Sequence, residues 1–432
     1  MQVNNNKHRV VITGMGVVSP NGIGVGAFEQ AIRKGTSGIK YLPELESFQF
    51  AARIGGVPEI SDELKQHYFP KELFKSFSAS ILFGCIAGRE AWLDAGLKMP
   101  EELSEPDWDT GAILGSGLAG ADILGGTAVP MINNGNTKRL GSTMVEQCMN
   151  SGPSAYLGGL LALGNQVTTN SSACSTGTEA IVDAFERIKA GHAKRMLAGG
   201  SEGSSTYLWA GFDSMRVLNR VSNDNPESAS RPMSASAAGF VPGAGAGLLM
   251  LESLESALQR KQRIYAEILG GAVNCGGQRQ GGTMTAPNSK GVQRCIRSAV
   301  ELSGIKPADI DAISGHLTST MADPVEIKNW TEALGRKGKD FPYINSVKSM
   351  VGHCLGAAGA IESIATVLQL YKGFLHPSIN CEDVHPEILK LISEERVVRK
   401  EMITDNLKII AKASFGFGDV NSCLIFKKWD NT

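Results

Sequence analysis

Arg89-Glu90-Ala91-Trp92-Leu93-Asp94-Ala95-Gly96-Leu97-Lys98 recurs 208 residues later as Arg297-Ser298-Ala299-Val300-Glu301-Leu302-Ser303-Gly304-Ile305-Lys306. Arginine, alanine, glycine and lysine keep their places, with an aliphatic residue before each lysine. An amphipathic helical pattern precedes both copies, over Ser78 to Asp94 and Gly291 to Leu302. A second echo follows in the same order: Ala180-Ile181-Val182 returns as Ala360-Ile361-Glu362. One such match arises readily by chance, whereas two in order point to a duplicated unit. The unit is α/β. Arg9-Val10-Val11-Ile12-Thr13-Gly14 reads as a buried strand, Ser19-Pro20-Asn21-Gly22 as a turn, and Ala27, Phe28, Ala31 and Ile32 fall at helical spacing. Strands and helices alternate through the rest of the chain. The 432 residues exceed what one core usually spans. We therefore expect two halves, 1–258 and 259–432, joined near residues 255–265. A glycine- and proline-broken stretch around 115–155 is expected to be a cap or dimer insertion.

Bulk composition narrows the function. Lys+Arg number 42 and Asp+Glu 43, so no global basic field points to nucleic acid. Glycine makes up 51 residues, about 12% against roughly 7% on average, and clusters in short runs such as Gly243-Ala244-Gly245-Ala246-Gly247. Such runs serve tight turns and close backbone approach. The opening MQVNNNKHRVVITG lacks the pattern of a signal peptide, and no apolar run is long enough for a membrane span. The eight cysteines are scattered without a CxxC pair, as in a reducing cytoplasm.

Four segments carry chemistry. Asn170-Ser171-Ser172-Ala173-Cys174-Ser175-Thr176-Gly177 precedes a helical pattern at Ala180, Ile181, Ala184, Phe185 and Ile188. A cysteine entering a helix start sits near unpaired N–H groups that favour thiolate, and small neighbours leave room for a substrate. Taken alone, it reads equally well as a small packing residue. His316 follows an apolar strand, Ile310 to Ile313. His353 opens a helix whose first turns, Gly352 to Ala360, are nearly all small, which places it deep in the structure. Each alone reads as a core histidine. Together, two imidazole N–H groups suit the enolate oxygen left when a malonyl thioester loses carbon dioxide, with Lys348 tuning their protonation. No metal-ligand spacing is present. Near the C-terminus, strand Ile409 to Ala413 runs into Ser414-Phe415-Gly416-Phe417-Gly418-Asp419, whose glycines permit unusual backbone angles.

With these segments in place, the chain resembles the β-ketoacyl-[acyl-carrier-protein] synthase family, and the synthase II type in particular. The resemblance runs from Val11-Ile12-Thr13-Gly14-Met15-Gly16 through Ala198-Gly199-Gly200-Ser201-Glu202, Asn223-Asp224-Asn225-Pro226 and Gly239-Phe240-Val241 to Ser414-Phe415-Gly416-Phe417-Gly418. It implies a thiolase fold, with two βαβαβαββ halves in a five-layered α-β-α-β-α sandwich. It implies an acyltransferase that joins a Cys174-bound acyl chain to malonyl-acyl carrier protein in fatty acid biosynthesis. His316 and His353 would then stabilise the enolate, and Lys348 would hold the histidines with Glu326 as its carboxylate partner. The N–H groups of Cys174 and Phe417 would form the oxyanion hole, and Phe415 and Phe417, flanked by Gly416 and Gly418, would gate the site. Thr318, Thr320 and Thr285 would contact the phosphopantetheine arm, and Leu118 would line the acyl tunnel. No cofactor is implied beyond the arm that arrives on acyl carrier protein. Lys65, Lys71 and Lys75 are candidates for docking that acidic carrier. A homodimer is implied, or a heterodimer with a related chain-length subunit.

Some positions depart from the family pattern. Leu317 and Asp419 stand where glycine is usual, one residue is missing between Thr320 and Asp323, and Ser234, Ala237, Ala238 and Ala244 replace polar residues. They keep a second reading open, an elongating ketosynthase of a polyketide or aryl-polyene pathway. A coenzyme A thiolase would need a second reactive cysteine in a CxG context, which Gly416-Phe417-Gly418 does not offer. A non-catalytic chain-length partner would lack Cys174.

Overall fold

The computed structural model describes residues 8–430, so Met1 to Lys7, the first half of the stretch read as lacking a signal peptide, lies outside the described residues. Among the described residues one continuous sheet has eleven strands, the short Gly22–Ile23 strand off to one side and the other ten in a single row. In the first half these are β1 (Val10–Ser19), β2 (Thr110–Gly115), β3 (Val167–Thr168), β4 (Arg195–Glu202) and β5 (Gly245–Ser253). In the second half they are β6 (Ala266–Cys275), β7 (Ala312–Ser314), β8 (Tyr343–Asn345), β9 (Ile409–Gly416) and β10 (Val420–Lys428). The spatial order is β8-β7-β9-β10-β6-β1-β5-β4-β2-β3, with a short arm at Gly22–Ile23 pairing off β1. Read outward from the centre, the first half runs 1-5-4-2-3 and the second 6-10-9-7-8, the same permutation. The pairing senses also match. β2 lies parallel to β3 and β4, β7 lies parallel to β8 and β9, and the remaining neighbours are antiparallel. The halves join where Val10, Val11 and Ile12 pair with Ile268, Glu267 and Ala266.

The two sequence echoes fall on equivalent helices. α1 (Ala79–Asp94) and α4 (Ser289–Leu302) each follow the first strand of their half. α3 (Thr176–Lys189) and α6 (Ala358–Lys372) each follow its third strand. One apolar cluster joins both inner sheet faces to α3 and α6, through Ile12, Leu249, Ile181, Phe185, Ile361, Ile364 and Leu424. A second packs α4 and α5 (Asp323–Leu334) on the outside of the second half. A third packs α1 and α2 (Gly152–Leu160) on the outside of the first. These three clusters, the first spanning both inner sheet faces, make the five layers of the thiolase fold.

Burial explains which helices are amphipathic. α4 buries one stripe, Val292, Cys295, Ile296, Ala299 and Val300, as its spacing predicts. α1, for which the spacing predicts the same, is instead buried on most sides, because Leu157 of α2 covers its outer face at Gly88. α6 is buried at every residue from Ala358 to Leu370. Its small first turns let two backbones cross. A Cβ on Gly359 would stand 2.2 Å from Thr178 Oγ1, and one on Gly177 would stand 2.8 Å from the Ala360 nitrogen. That crossing brings the starts of α3 and α6 together, and with them Cys174 and His353. Between β2 and α2 the chain forms short helical turns over residues 121–148, which expose Leu124, Val129, Ile132 and Val145.

Candidate active site

One cavity of about 380 Å³ gathers residues from seven separate segments. Cys174 lies in a 3-10 turn, Ala173–Ser175, directly before α3, and Ala173 holds a left-handed φ of 51°. His316 and His353 share the cavity with it, their ring centroids 5.3 Å apart at 83°. Phe415, Gly416 and Phe417 form another wall, and the Phe417 N–H is close enough to the Cys174 sulfur to favour its thiolate. A Cβ on Gly416 would lie 3.1 Å from the Cys174 nitrogen, so glycine lets these two backbones touch. Thr285, Thr318 and Thr320 line one side. Phe212, Met215, Val217, Phe240 and Leu355 line an apolar side.

The histidines are neutral and their tautomers are fixed. Burial pulls both imidazoles well below the ordinary histidine range, and the charge of Lys348 adds to it. His353 Nδ1 accepts the Leu355 N–H at 3.2 Å, and His316 Nδ1 faces the Lys348 ammonium at 3.5 Å. With Nδ1 accepting in each ring, Nε2 carries the hydrogen. Both rings are thus N–H donors without being cations.

Lys348 is 1% exposed and sits in a buried charge chain. Its ammonium donates to the His316 carbonyl at 2.6 Å and pairs with Glu362. The other Glu362 oxygen is 2.7 Å from the Lys412 ammonium, which also donates to Ser414 Oγ at 2.9 Å. This corrects the expectation for Glu326. Its carboxylate accepts the backbone N–H groups of His316 and Leu317, both at 2.7 Å, and Trp330 Nε1–H at 3.3 Å. Burial pushes Glu326 up to about 7, against the pull of the two backbone donors and Lys348. Glu326 therefore holds the turn that presents His316, in which Leu317 has a φ of 21° and a fully buried side chain. Asp323, from the same end of α5, holds the next turn through the N–H groups of Thr318 and Ser319.

Two further expectations are corrected. Helix-start polarity was expected to favour the Cys174 thiolate, but burial pushes the thiol up to about 11 despite Lys348 and the Phe417 N–H. Desolvation outweighs both. Leu118, expected in the acyl tunnel, is 44% exposed and does not line the cavity, while its N–H donates to Glu202 at 3.1 Å. Gly418 also lies off the cavity wall, donating its N–H to the Met284 carbonyl. Lys65 pairs with Asp62, Lys71 and Lys75 are exposed, and none of the three lines the cavity.

Sequence reasoning missed Glu362 and Lys412. Both carried a signal, since each is a lone charge in an otherwise apolar element, Ala360-Ile361-Glu362-Ser363-Ile364 and Ile409-Ile410-Ala411-Lys412-Ala413. The apolar wall at Phe212 and Met215 carried none that distinguishes it from ordinary core.

Comparison with known proteins agrees with this geometry. The model for the β-ketoacyl synthase N-terminal domain matches residues 7–257, and that for its C-terminal domain matches 265–382. The chain is 34% identical over 429 residues to 3-oxoacyl-[acyl-carrier-protein] synthase 2 of Synechocystis sp., covering 98% of this chain and 99% of that one. It superposes on the ishigamide ketosynthase/chain length factor with a TM-score of 0.86 at 26% identity, covering 98% of this chain and 100% of that one. It also superposes on a chain of AntDE:AntF, a type II PKS acyl-carrier protein in complex with its ketosynthase bound to the hexaketide. There the TM-score is 0.86 at 29% identity, with the same coverage.

Proposed function

The chain belongs to the β-ketoacyl synthase family, and we propose that it joins a Cys174-bound acyl chain to malonyl-[acyl-carrier-protein], giving 3-oxoacyl-[acyl-carrier-protein] in fatty acid biosynthesis. The observation that carries this reading is the pair of neutral imidazoles, each left with an Nε2–H donor, lining one cavity with the nucleophilic thiol.

The steps follow from those groups. The Cys174 sulfur attacks the acyl thioester carbonyl, its proton passes to the departing arm thiol, and the acyl group is held as a thioester on Cys174. Because the resting thiol is protonated, deprotonation accompanies attack. The malonyl carboxylate then leaves as carbon dioxide, and the electron pair of the broken C–C bond becomes the enolate. The developing charge on the malonyl thioester oxygen meets the two imidazole N–H donors. The enolate carbon attacks the acyl carbonyl, whose oxygen faces the N–H groups of Cys174 and Phe417. Collapse expels the Cys174 thiolate, which takes up a proton from water. The apolar wall at Phe212, Phe240 and Leu355 suits the acyl chain, and the threonine wall suits the phosphopantetheine arm. Acyl carrier protein delivers both substrates, and the apolar residues exposed over 121–148 support a partner subunit at that face, identical or related. The likeness to ketosynthases of polyketide assembly favours keeping the elongating polyketide reading as the alternative.

The test supplies acyl carrier and malonyl carrier and measures the 3-oxoacyl product by mass. Cys174→Ala should yield none, and condensation at the parent rate in that variant would end the proposal. A panel of acyl carriers, with the subunit mass measured in solution, separates the two pathway readings.

A further inference from the structure

The turn after β9 carries a feature that the condensation chemistry does not use. Asp419 holds a left-handed φ of 63°, and its side chain is buried, 1% exposed. Its carboxylate touches no cation among the described residues. It accepts two backbone N–H groups from one separate segment instead, Gln278 at 2.9 Å and Asn288 at 2.7 Å. Its carbonyl accepts the Gly276 N–H at 2.9 Å, and the neighbouring Gly418 N–H donates to the Met284 carbonyl at 2.8 Å. Asn288 is itself the N-cap of α4, accepting from Lys290 and Gly291, so the carboxylate also sits at the positive end of that helix.

Room has been made for this carboxylate. A Cβ on Gly276 would lie 2.2 Å from its Oδ2, and one on Gly282 would lie 2.6 Å from it. A buried carboxylate is tolerated only when its lone pairs are filled, and here backbone donors fill them. Both segments it joins are cavity walls. The 416–419 turn carries Phe417, whose ring lies 6.3 Å from that of Phe212 across the apolar side. The 276–288 segment carries Thr285 and Pro287.

We propose that Asp419 is a positioning residue that latches the Phe417 turn to the 276–288 segment, so that the two walls over Cys174 open only as one unit. A ligand that displaces Thr285 on one side is then felt at Phe417 on the other, without either wall contacting the other's ligand. The proposal deepens the reading of this cavity as a carrier-fed site, but its readouts do not require condensation activity.

The experiment compares the full-length parent with Asp419→Gly and Asp419→Asn. Glycine adopts this φ freely, so Asp419→Gly removes the carboxylate latch while leaving the turn relaxed and its two backbone bonds to the segment available. Amide hydrogen exchange should rise by about tenfold or more over both 276–288 and 416–420 in Asp419→Gly, as expected for losing charge-assisted hydrogen bonds. The interior of α4 should keep its protection. The rate of Cys174 modification by a bulky maleimide, divided by that for iodoacetamide, should rise by a similar factor. An amide retains one acceptor oxygen, so Asp419→Asn should fall between the parent and Asp419→Gly in both measurements. A merely structural role would lower thermal stability and loosen 276–288 alone. That result, or an unchanged maleimide-to-iodoacetamide ratio, would overturn the proposal. If the latch holds but no 3-oxoacyl product forms, it is the condensation reading that fails.

Discussion

Glu362→Gln removes one charge from the centre of the molecule and leaves two buried ammonium groups facing each other. Lys348, Glu362 and Lys412 are each at most 2% exposed at the side chain, so solvent does little to screen them. Breaking a buried ion pair by removing one partner costs about 3–5 kcal/mol, and the amide keeps the volume, so cavity formation adds little. With an unfolding entropy of about 2.1 cal/mol/K per residue, that loss lowers the Tm of a chain this long by about 3–6 °C. The loss should also depend on pH. Burial already holds Lys412 below its ordinary value, and Glu362 is what raises it. Without Glu362 the folded-state value falls further, and between the folded and unfolded values the unfolded chain binds more protons than the folded one. Stability of the variant therefore rises with pH, and its deficit is larger at pH 6 than at pH 9. Thermal unfolding of parent and variant at both pH values checks this. A variant that melts within about 1 °C of the parent at both would refute the claim that Glu362 neutralises the pair.

Three further outcomes follow from the same geometry. His316→Ala and His353→Ala should each lower malonyl decarboxylation by about 10²–10³-fold, the loss expected for one oxyanion donor, measured as carbon dioxide release. Iodoacetamide should label the exposed Cys275 readily at neutral pH, whereas the rate at Cys174, with its thiol pushed up to about 11, should climb about tenfold per pH unit between roughly pH 7 and 10. A flat profile at Cys174 would mean that a thiolate is already present. Gly359→Ala should destabilise the fold by about 1–3 kcal/mol or more in denaturant unfolding. Thr178→Ala should not rescue it, because the new Cβ also lies 2.7 Å from the Thr178 backbone nitrogen.

The duplication was legible because the echoes fall where both copies answer to the same constraint. Gly96 and Gly304 each adopt a left-handed φ just past their helix, near 68° in both, a position at which side chains are strained. Ala180 and Ala360 lie fully buried on the two helices that cross between the sheets, beside the close approach at Gly177 and Gly359. Such backbone demands leave residue identities behind. Cys174, His316 and His353 were legible for a related reason, since each stands at the end of an element among small residues.

What sequence could not give was electrostatic balance, because it depends on which distant groups share one dry volume. The family resemblance implies Glu326 as the partner for Lys348, yet it faces backbone N–H groups instead. Glu362 of α6 meets Lys348 at the start of a short helix, Lys348–Val351, that follows β8, and β9 sets Lys412 against its other oxygen. The Cys174 thiol shows the same dependence. Its helix-start setting was visible, but the desolvation that outweighs it was not, because that depends on the distant segments packed around the sulfur. A nucleophile so held stays largely protonated until a substrate enters the cavity beside it. Its reactivity then depends on what enters the cavity as much as on the residue itself.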